Sequence, residues 1–111
     1  MTEIKGNRYF GFWDELPLKV RTGESFYDYL KLKNTLSREG ILRYMEALPV
    51  GLMVTPDPEH ERDVFTGEPV VPGMYKDGVY IYPSEFLHYY RKYPIGIPYE
   101  YEDYLRKQGV K

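Results

Sequence analysis

The sequence predicts an α+β fold, in which flanking helices cover a small, mainly antiparallel sheet of three or four strands in a single domain, residues 1–111. Two observations carry this prediction. Residues 70–83, VVPGMYKDGVYIYP, place an Asp-Gly pair between two runs of β-branched and aromatic residues, which is typical of a β-hairpin. On both sides of it, apolar residues recur at spacings of three and four, which indicates amphipathic helices.

The hairpin is predicted to have two unlike faces. If Asp77 and Gly78 form the two-residue loop of a type I′ turn, Tyr75 pairs with Tyr80. Side chains alternate between the two faces of a strand. The aliphatic face then carries Met74, Lys76, Val79 and Ile81, and the tyrosine face carries Tyr75, Tyr80 and Tyr82. We expect residues 50–55 and the helix before them to complete the aliphatic side.

Four elements are predicted before the hairpin. Aromatic residues 8–13 predict an early strand, and residues 24–32 predict a short helix. Ser37 is suited to cap a second helix, which Pro49 ends. Residues 50–55 form a short apolar run between prolines, which predicts a buried strand beside the hairpin.

Two helices are predicted after the hairpin. Pro83 and the residues after it suit a helix start, and the next apolar residues recur at helical spacing. That buried stripe consists of Phe86, Tyr89, Tyr90 and Tyr93. The last helix runs from Pro98 or Tyr99 to Lys107, with acidic residues early, basic residues late and Gly109 near its C-terminal cap.

The composition excludes several classes of protein. A net charge of −2 disfavours nucleic-acid binding, which needs a broad basic surface. The absence of cysteine excludes disulfides and thiol chemistry. No apolar run is long enough to span a membrane, and the first residues lack the apolar core of a signal peptide, so we expect a cytoplasmic protein.

Residues 56–69 are predicted to be an acidic loop. They contain five acidic residues and one arginine, which gives a net charge of −4. His60 lies among the acids, but the spacing matches neither a calcium loop nor a zinc helix, so no metal site is predicted. The pattern favours a solvated loop, and the remaining interpretations are a contact with a metal ion or with a basic partner.

No stretch carries a specific catalytic motif, and no cofactor is predicted. His88 lies three residues after Glu85 and three before Arg91, a spacing that indicates a charged network on a helix. The pattern favours a protein without catalytic activity. The alternative is a small enzyme or ligand-binding domain with a tyrosine-lined pocket that uses His88 or His60.

Tyrosine is the unusual residue of this chain, with 13 copies. Those on the helix stripe are expected in the core. If helices cover the tyrosine face of the hairpin, its rings are core residues as well; if they do not, the face is a binding surface. The sequence favours burial.

The C-terminal half shows a resemblance carried by residues 77–83, DGVYIYP, and by the later pair Tyr89-Tyr90. Residues 41–109 resemble the C-terminal half of small uncharacterised bacterial proteins common in actinobacteria. The resemblance implies no established activity. Bacterial antitoxin and immunity proteins are similar to the chain in size and acidity alone.

These observations predict a bacterial protein-interaction module, with an immunity- or antitoxin-like inhibitor as the specific form. We expect an acidic loop and exposed tyrosines to contact a basic partner protein. The candidate binding residues are Asp57, Glu59, His60, Glu61, Asp63, Tyr75, Tyr80 and Tyr82.

Overall fold

A computed structural model describes residues 1–16, 22–48, 50–52, 62–70 and 73–111. In chain order, the elements of these ranges are β1 (Thr2–Ile4), β2 (Asn7–Tyr9), α1 (Phe26–Tyr29), α2 (Arg38–Glu46), β3 (Val50–Leu52), β4 (Met74–Asp77), β5 (Tyr80–Pro83), α3 (Glu85–Lys92) and α4 (Tyr99–Lys107). The predicted α+β class is confirmed.

The sheet is mixed. Its five strands in the described part of the chain lie in the order β1-β2-β5-β4-β3, one more than the largest number expected. Three pairings are antiparallel, whereas β2 and β5 are parallel. A parallel pair needs a long crossover, and here the chain passes through α1 and α2 between the two strands. The sheet thereby joins the N-terminal segment to the central hairpin.

The predicted register of the central hairpin is wrong by two residues. Tyr75 pairs with Tyr82 and Asp77 with Tyr80, so Gly78 and Val79 form the loop. Gly78 has a φ of 62°, while Val79 is not among the residues with positive φ. This pattern matches a type II′ turn, which needs positive φ at its first central position only. Asp77 therefore stays in the strand, where hydroxyl groups from two helices reach its carboxylate.

The tyrosine face of the hairpin is the one that the helices cover. Tyr82 is fully buried, Tyr80 is 8% exposed and Tyr75 is half-buried. Burial of this face, which the sequence favoured, is confirmed. The expectation that α2 completes the aliphatic face is wrong, because Tyr44 of α2 donates a hydrogen bond to Asp77 on the tyrosine face. Aromatic side chains bury more apolar area than aliphatic ones. Covering the tyrosine face therefore removes more apolar surface from water than covering the aliphatic face would.

The helices follow the sequence closely. Ser37 caps α2 by accepting a hydrogen bond from the Gly40 N–H, as predicted. The helix predicted over residues 24–32 is present but shorter than expected, and α1 comprises a single turn. At the end of α4, the Gly109 and Val110 N–H groups bond back to Arg106 and Leu105, which is a Schellman motif.

The early strand is shorter than predicted and belongs to a second hairpin. Strands β1 and β2 are joined by Lys5 and Gly6, whose φ values of 50° and 83° suit a type I′ turn. Directly after β2, the Phe10 N–H still donates to the Ile81 carbonyl of β5 at 3.0 Å. The side chains of Phe10 and Trp13 are fully buried. These two side chains contact Phe86 of α3, so the N-terminal segment closes one side of the core.

Candidate functional site

The structure describes half of the residues predicted to bind a partner. Asp57, Glu59, His60 and Glu61 lie outside the described residues. The other four are described, and none of them has an exposed side chain. Asp63, Tyr80 and Tyr82 are buried, and Tyr75 is half-buried.

Asp63 begins a tight loop on the surface of α3. Its N–H donates to the Glu68 carbonyl at 2.8 Å, and its carbonyl accepts from the Gly67 N–H at 2.8 Å. Arg62 and Pro69 form an isolated antiparallel bridge at the ends of the loop. Residues 62–69 are therefore closed by their own backbone.

The Asp63 carboxylate attaches this loop to α3. Its Oδ1 accepts the N–H of Phe65 at 2.7 Å and that of Thr66 at 3.2 Å. Its Oδ2 lies 2.8 Å from His88 Nε2 and accepts the Tyr93 hydroxyl at 3.0 Å. No part of the Asp63 side chain reaches solvent. The carboxylate thus satisfies donors from both the loop and the helix.

The same contacts keep the Asp63 carboxyl ionised. Burial by itself raises the pKa of this carboxyl, but the hydrogen bonds from His88, from the Phe65 N–H and from Tyr93 lower it, and the net pKa is below the ordinary aspartate value. Tyr93 shows the opposite effect: burial, and then its hydrogen bond to Asp63, raise the Tyr93 pKa to about 12. At neutral pH, the phenol is the donor and the carboxylate is the acceptor.

The attached loop carries two apolar side chains that face solvent. Val64 is 41% exposed and Phe65 is 44% exposed, and Tyr27 of α1, beside them, is 53% exposed. The rings of Tyr27 and Phe65 are 6.3 Å apart. Beneath Phe65, the ring of Phe26 lies at 5.0 Å. We call Tyr27, Val64 and Phe65 the Phe65 surface.

Sequence reasoning did not identify the Phe65 surface. The signal in the sequence is the apolar pair Val64-Phe65 directly after an acidic run, within a segment whose composition is otherwise that of a polar loop. The side chains of Val64 and Phe65 are exposed because the backbone of the loop is held against α3, where the Tyr89 hydroxyl accepts the Val64 N–H at 2.9 Å. The loop is therefore held to α3 by at least two tyrosines and one histidine.

His88 has the position of a structural residue. Its side chain is 20% exposed, and its ring lies nearly perpendicular to that of Tyr89, with ring centroids 5.2 Å apart. A pocket of about 240 Å³ lies elsewhere, beyond the end of α3, and His88 is not among its lining residues. The residues that line the pocket are Leu32, Lys33, Asn34, Leu36, Arg38, Tyr90, Pro94, Ile95 and Gly96. Arg38 in this pocket already donates to the backbone carbonyls of Tyr90, Tyr93 and Ile95.

A second buried carboxylate, that of Asp77, lies on the tyrosine face of the hairpin. Asp77 Oδ2 accepts the hydroxyls of Tyr44 and Tyr101, both at 2.9 Å, and Oδ1 accepts that of Tyr104 at 3.2 Å. Burial, followed by the interaction with Asp77, raises the pKa of Tyr44 and of Tyr104. These phenols therefore remain protonated donors at neutral pH. Asp77 was expected in a turn, so this cluster was also missed.

Within the described ranges, no three His, Cys, Asp or Glu side chains are grouped to hold a metal ion. No helix of the same ranges is both long enough and apolar enough to cross a membrane. Comparison with known protein families, curated proteins and solved structures finds no match to this chain.

Proposed function

We propose that the chain binds another protein through the Phe65 surface. The observation that carries the proposal is that Val64 and Phe65 are exposed on a loop whose base is fixed by the buried Asp63 carboxylate, with Tyr27 of α1 exposed beside them. Single exposed apolar residues are common on proteins, whereas contiguous apolar patches are often interaction sites, more so as they grow larger. Aromatic side chains such as Tyr27 and Phe65 are enriched among the residues that dominate binding energy.

The attachment of the loop supports this role. A mobile loop loses conformational entropy when it binds, whereas a loop that is already fixed does not. Asp63 bonds to the N–H groups of Phe65 and Thr66, the residues at the exposed tip. The Phe65 ring is also supported by Tyr93, with ring centroids 5.5 Å apart. We infer that this surface is formed before the partner arrives.

The partner in this proposal is a basic protein. Residues 57–61 contain three acidic side chains and directly precede the attached loop in the sequence. Negative charge next to an apolar contact speeds the encounter with a positively charged partner. Arginine side chains of such a partner also stack on exposed aromatic rings. A bacterial immunity- or antitoxin-like inhibitor acting in the cytoplasm is the specific form of this proposal.

Photo-crosslinking in cells tests the proposed surface. Benzoylphenylalanine replaces Tyr27 in one variant and Tyr99 in the control, since these tyrosines are 53% and 51% exposed, respectively. The probe at position 27 should give one predominant crosslinked protein, identified by mass spectrometry, that the probe at position 99 does not give. Equal crosslinking patterns at the two positions would contradict the proposal.

The purified crosslinked protein then tests the acidic segment. Replacing Asp57, Glu59 and Glu61 together by lysine should slow association at low salt more than it speeds dissociation, because steering acts on the encounter. Stopped-flow measurements at two salt concentrations give both rates. An unchanged association rate at low salt would remove the steering role while leaving the Phe65 surface to be judged by crosslinking.

A further inference from the structure

The hairpin contains the only Asp-Gly sequence of the chain, Asp77-Gly78. Among dipeptides that begin with aspartate, Asp-Gly is the one most easily converted to isoaspartate, because glycine has no side chain to shield its backbone nitrogen. A flexible Asp-Gly turn at the surface would be open to this reaction. The buried Asp77 carboxylate and its three tyrosines make the site unusual.

We propose that Asp77-Gly78 is a latent isoaspartate site that the hydroxyls of Tyr44, Tyr101 and Tyr104 keep closed. In the reaction, the Asp77 carboxylate takes a proton from solvent and the Gly78 nitrogen attacks its Cγ. One C–N bond forms, the nitrogen loses its proton and one water leaves, which gives a succinimide. Addition of one water then opens the ring to aspartate or to isoaspartate, without an oxidant or reductant.

The geometry opposes ring closure. Asp77 is the last residue of β4, and the side chain of a strand residue stands roughly perpendicular to the sheet. Two oxygens of that side chain accept three phenol hydrogen bonds at 2.9, 2.9 and 3.2 Å. To reach the Gly78 nitrogen, Cγ must rotate toward the backbone and leave these donors. Three buried or half-buried phenols would then lack an acceptor.

Tyr104 also shields the glycine. A Cβ atom placed on Gly78 would lie 2.8 Å from the Tyr104 hydroxyl, so this phenol lies directly over the turn. Tyr104 belongs to α4 and Tyr44 to α2, so the site opens when either helix separates from the hairpin. Conversion inserts an additional carbon into the main chain at the turn. The strand pairing of Asp77 with Tyr80 is then lost, and the damage is fixed covalently.

The experiment follows isoaspartate during prolonged incubation of the whole protein at neutral pH. Tryptic mapping quantifies the peptide that begins at Asp77, and labelling by an isoaspartyl methyltransferase gives an independent reading. The synthetic peptide of residues 70–83 provides the unprotected rate. The Tyr104→Phe and Tyr44→Phe variants each remove one hydrogen bond to the carboxylate, and Tyr27→Phe removes an exposed hydroxyl as the control.

We expect the wild-type protein and Tyr27→Phe to react much more slowly than the peptide. Each of the other variants should react at least about tenfold faster than the wild type, the lower end of the factor that corresponds to one hydrogen bond to a charged group. Trp13 fluorescence shows whether a variant is folded. The proposal is overturned if the wild type reacts as fast as the peptide, or if a folded Tyr104→Phe or Tyr44→Phe variant reacts at the wild-type rate.

Discussion

Replacing Asp63 by asparagine tests the attachment of the loop to α3. The amide keeps the size of the side chain and one carbonyl oxygen, which can still accept from the Phe65 N–H. The charged contacts with His88 and Tyr93, at 2.8 and 3.0 Å, are lost. Hydrogen bonds to a charged group contribute about 1.5 to 3 kcal/mol each. The asparagine amide can form weaker, uncharged hydrogen bonds with the same two partners and so recovers part of that stabilisation. We expect a net loss of about 2 kcal/mol.

The change is large enough to measure. An unfolding entropy of about 2.1 cal/mol/K per residue gives about 0.23 kcal/mol/K for this chain, so about 2 kcal/mol lowers Tm by about 9 °C. Trp13 is the only tryptophan and is fully buried, so its fluorescence reports unfolding in denaturant or on heating. Glu39→Gln is the control, since this carboxylate is 82% exposed in its pair with Arg43.

The effect of Asp63→Asn should depend on pH. The pKa of Asp63 is lower in the folded protein than its ordinary value of 3.8. The carboxylate therefore stabilises the fold fully above that ordinary value, and the stabilisation is lost as pH falls through the lower folded pKa. The difference between wild type and variant should shrink in that acidic range. A difference below 0.5 kcal/mol at neutral pH, roughly the size of a surface substitution, would refute the role assigned to Asp63.

Three further substitutions test separate parts of the fold by the same fluorescence assay. Gly11→Ala should lower the unfolding free energy by about 3 kcal/mol, because φ is 82° and the new Cβ would lie 2.8 Å from Phe86 Cδ2. Wild-type stability would show that Phe86 can shift to make room for the methyl group. Lys5→Asn should raise the unfolding free energy by about 0.5 kcal/mol, since asparagine tolerates the φ of 50° better than lysine does. A loss of stability would contradict the assignment of a type I′ turn at Lys5 and Gly6. Glu102→Ala should lower the unfolding free energy by about 2 kcal/mol, because the N–H groups of Thr35 and Leu36 lose their acceptor. An unchanged unfolding free energy would mean that water replaces the carboxylate as the acceptor.

The two faces of the hairpin were predictable and its register was not. Side-chain alternation has a period of two, so a shift by two residues leaves every side chain on the expected face. The register follows from Asp77, whose carboxylate meets Tyr101 on a helix that begins more than 20 residues later. The local rule for Asp-Gly turns contains no information about such a contact.

The candidate site depended on contacts of the same kind. Charge density predicted that Asp63 faces solvent, but His88 of α3 and Tyr93 at the C-terminal cap of α3 give its carboxylate a buried position. Once Asp63 turns inward, the neighbouring Phe65 is left on the outside. Three members of the predicted α3 stripe, Phe86, Tyr89 and Tyr90, are buried as helical periodicity indicated. The fourth, Tyr93, lies at the C-terminal cap of the helix and is half-buried.

The affinity of the crosslinked partner for two matched variants tests the proposed function most directly. Phe65→Ser removes the central ring of the Phe65 surface, and Val79→Ser removes a side chain of similar exposure, 46%, at the hairpin turn. The account predicts that Phe65→Ser weakens binding by about 30-fold, the effect of a central aromatic residue worth about 2 kcal/mol, and that Val79→Ser leaves it unchanged. Equal affinities for the two folded variants would contradict binding through the Phe65 surface.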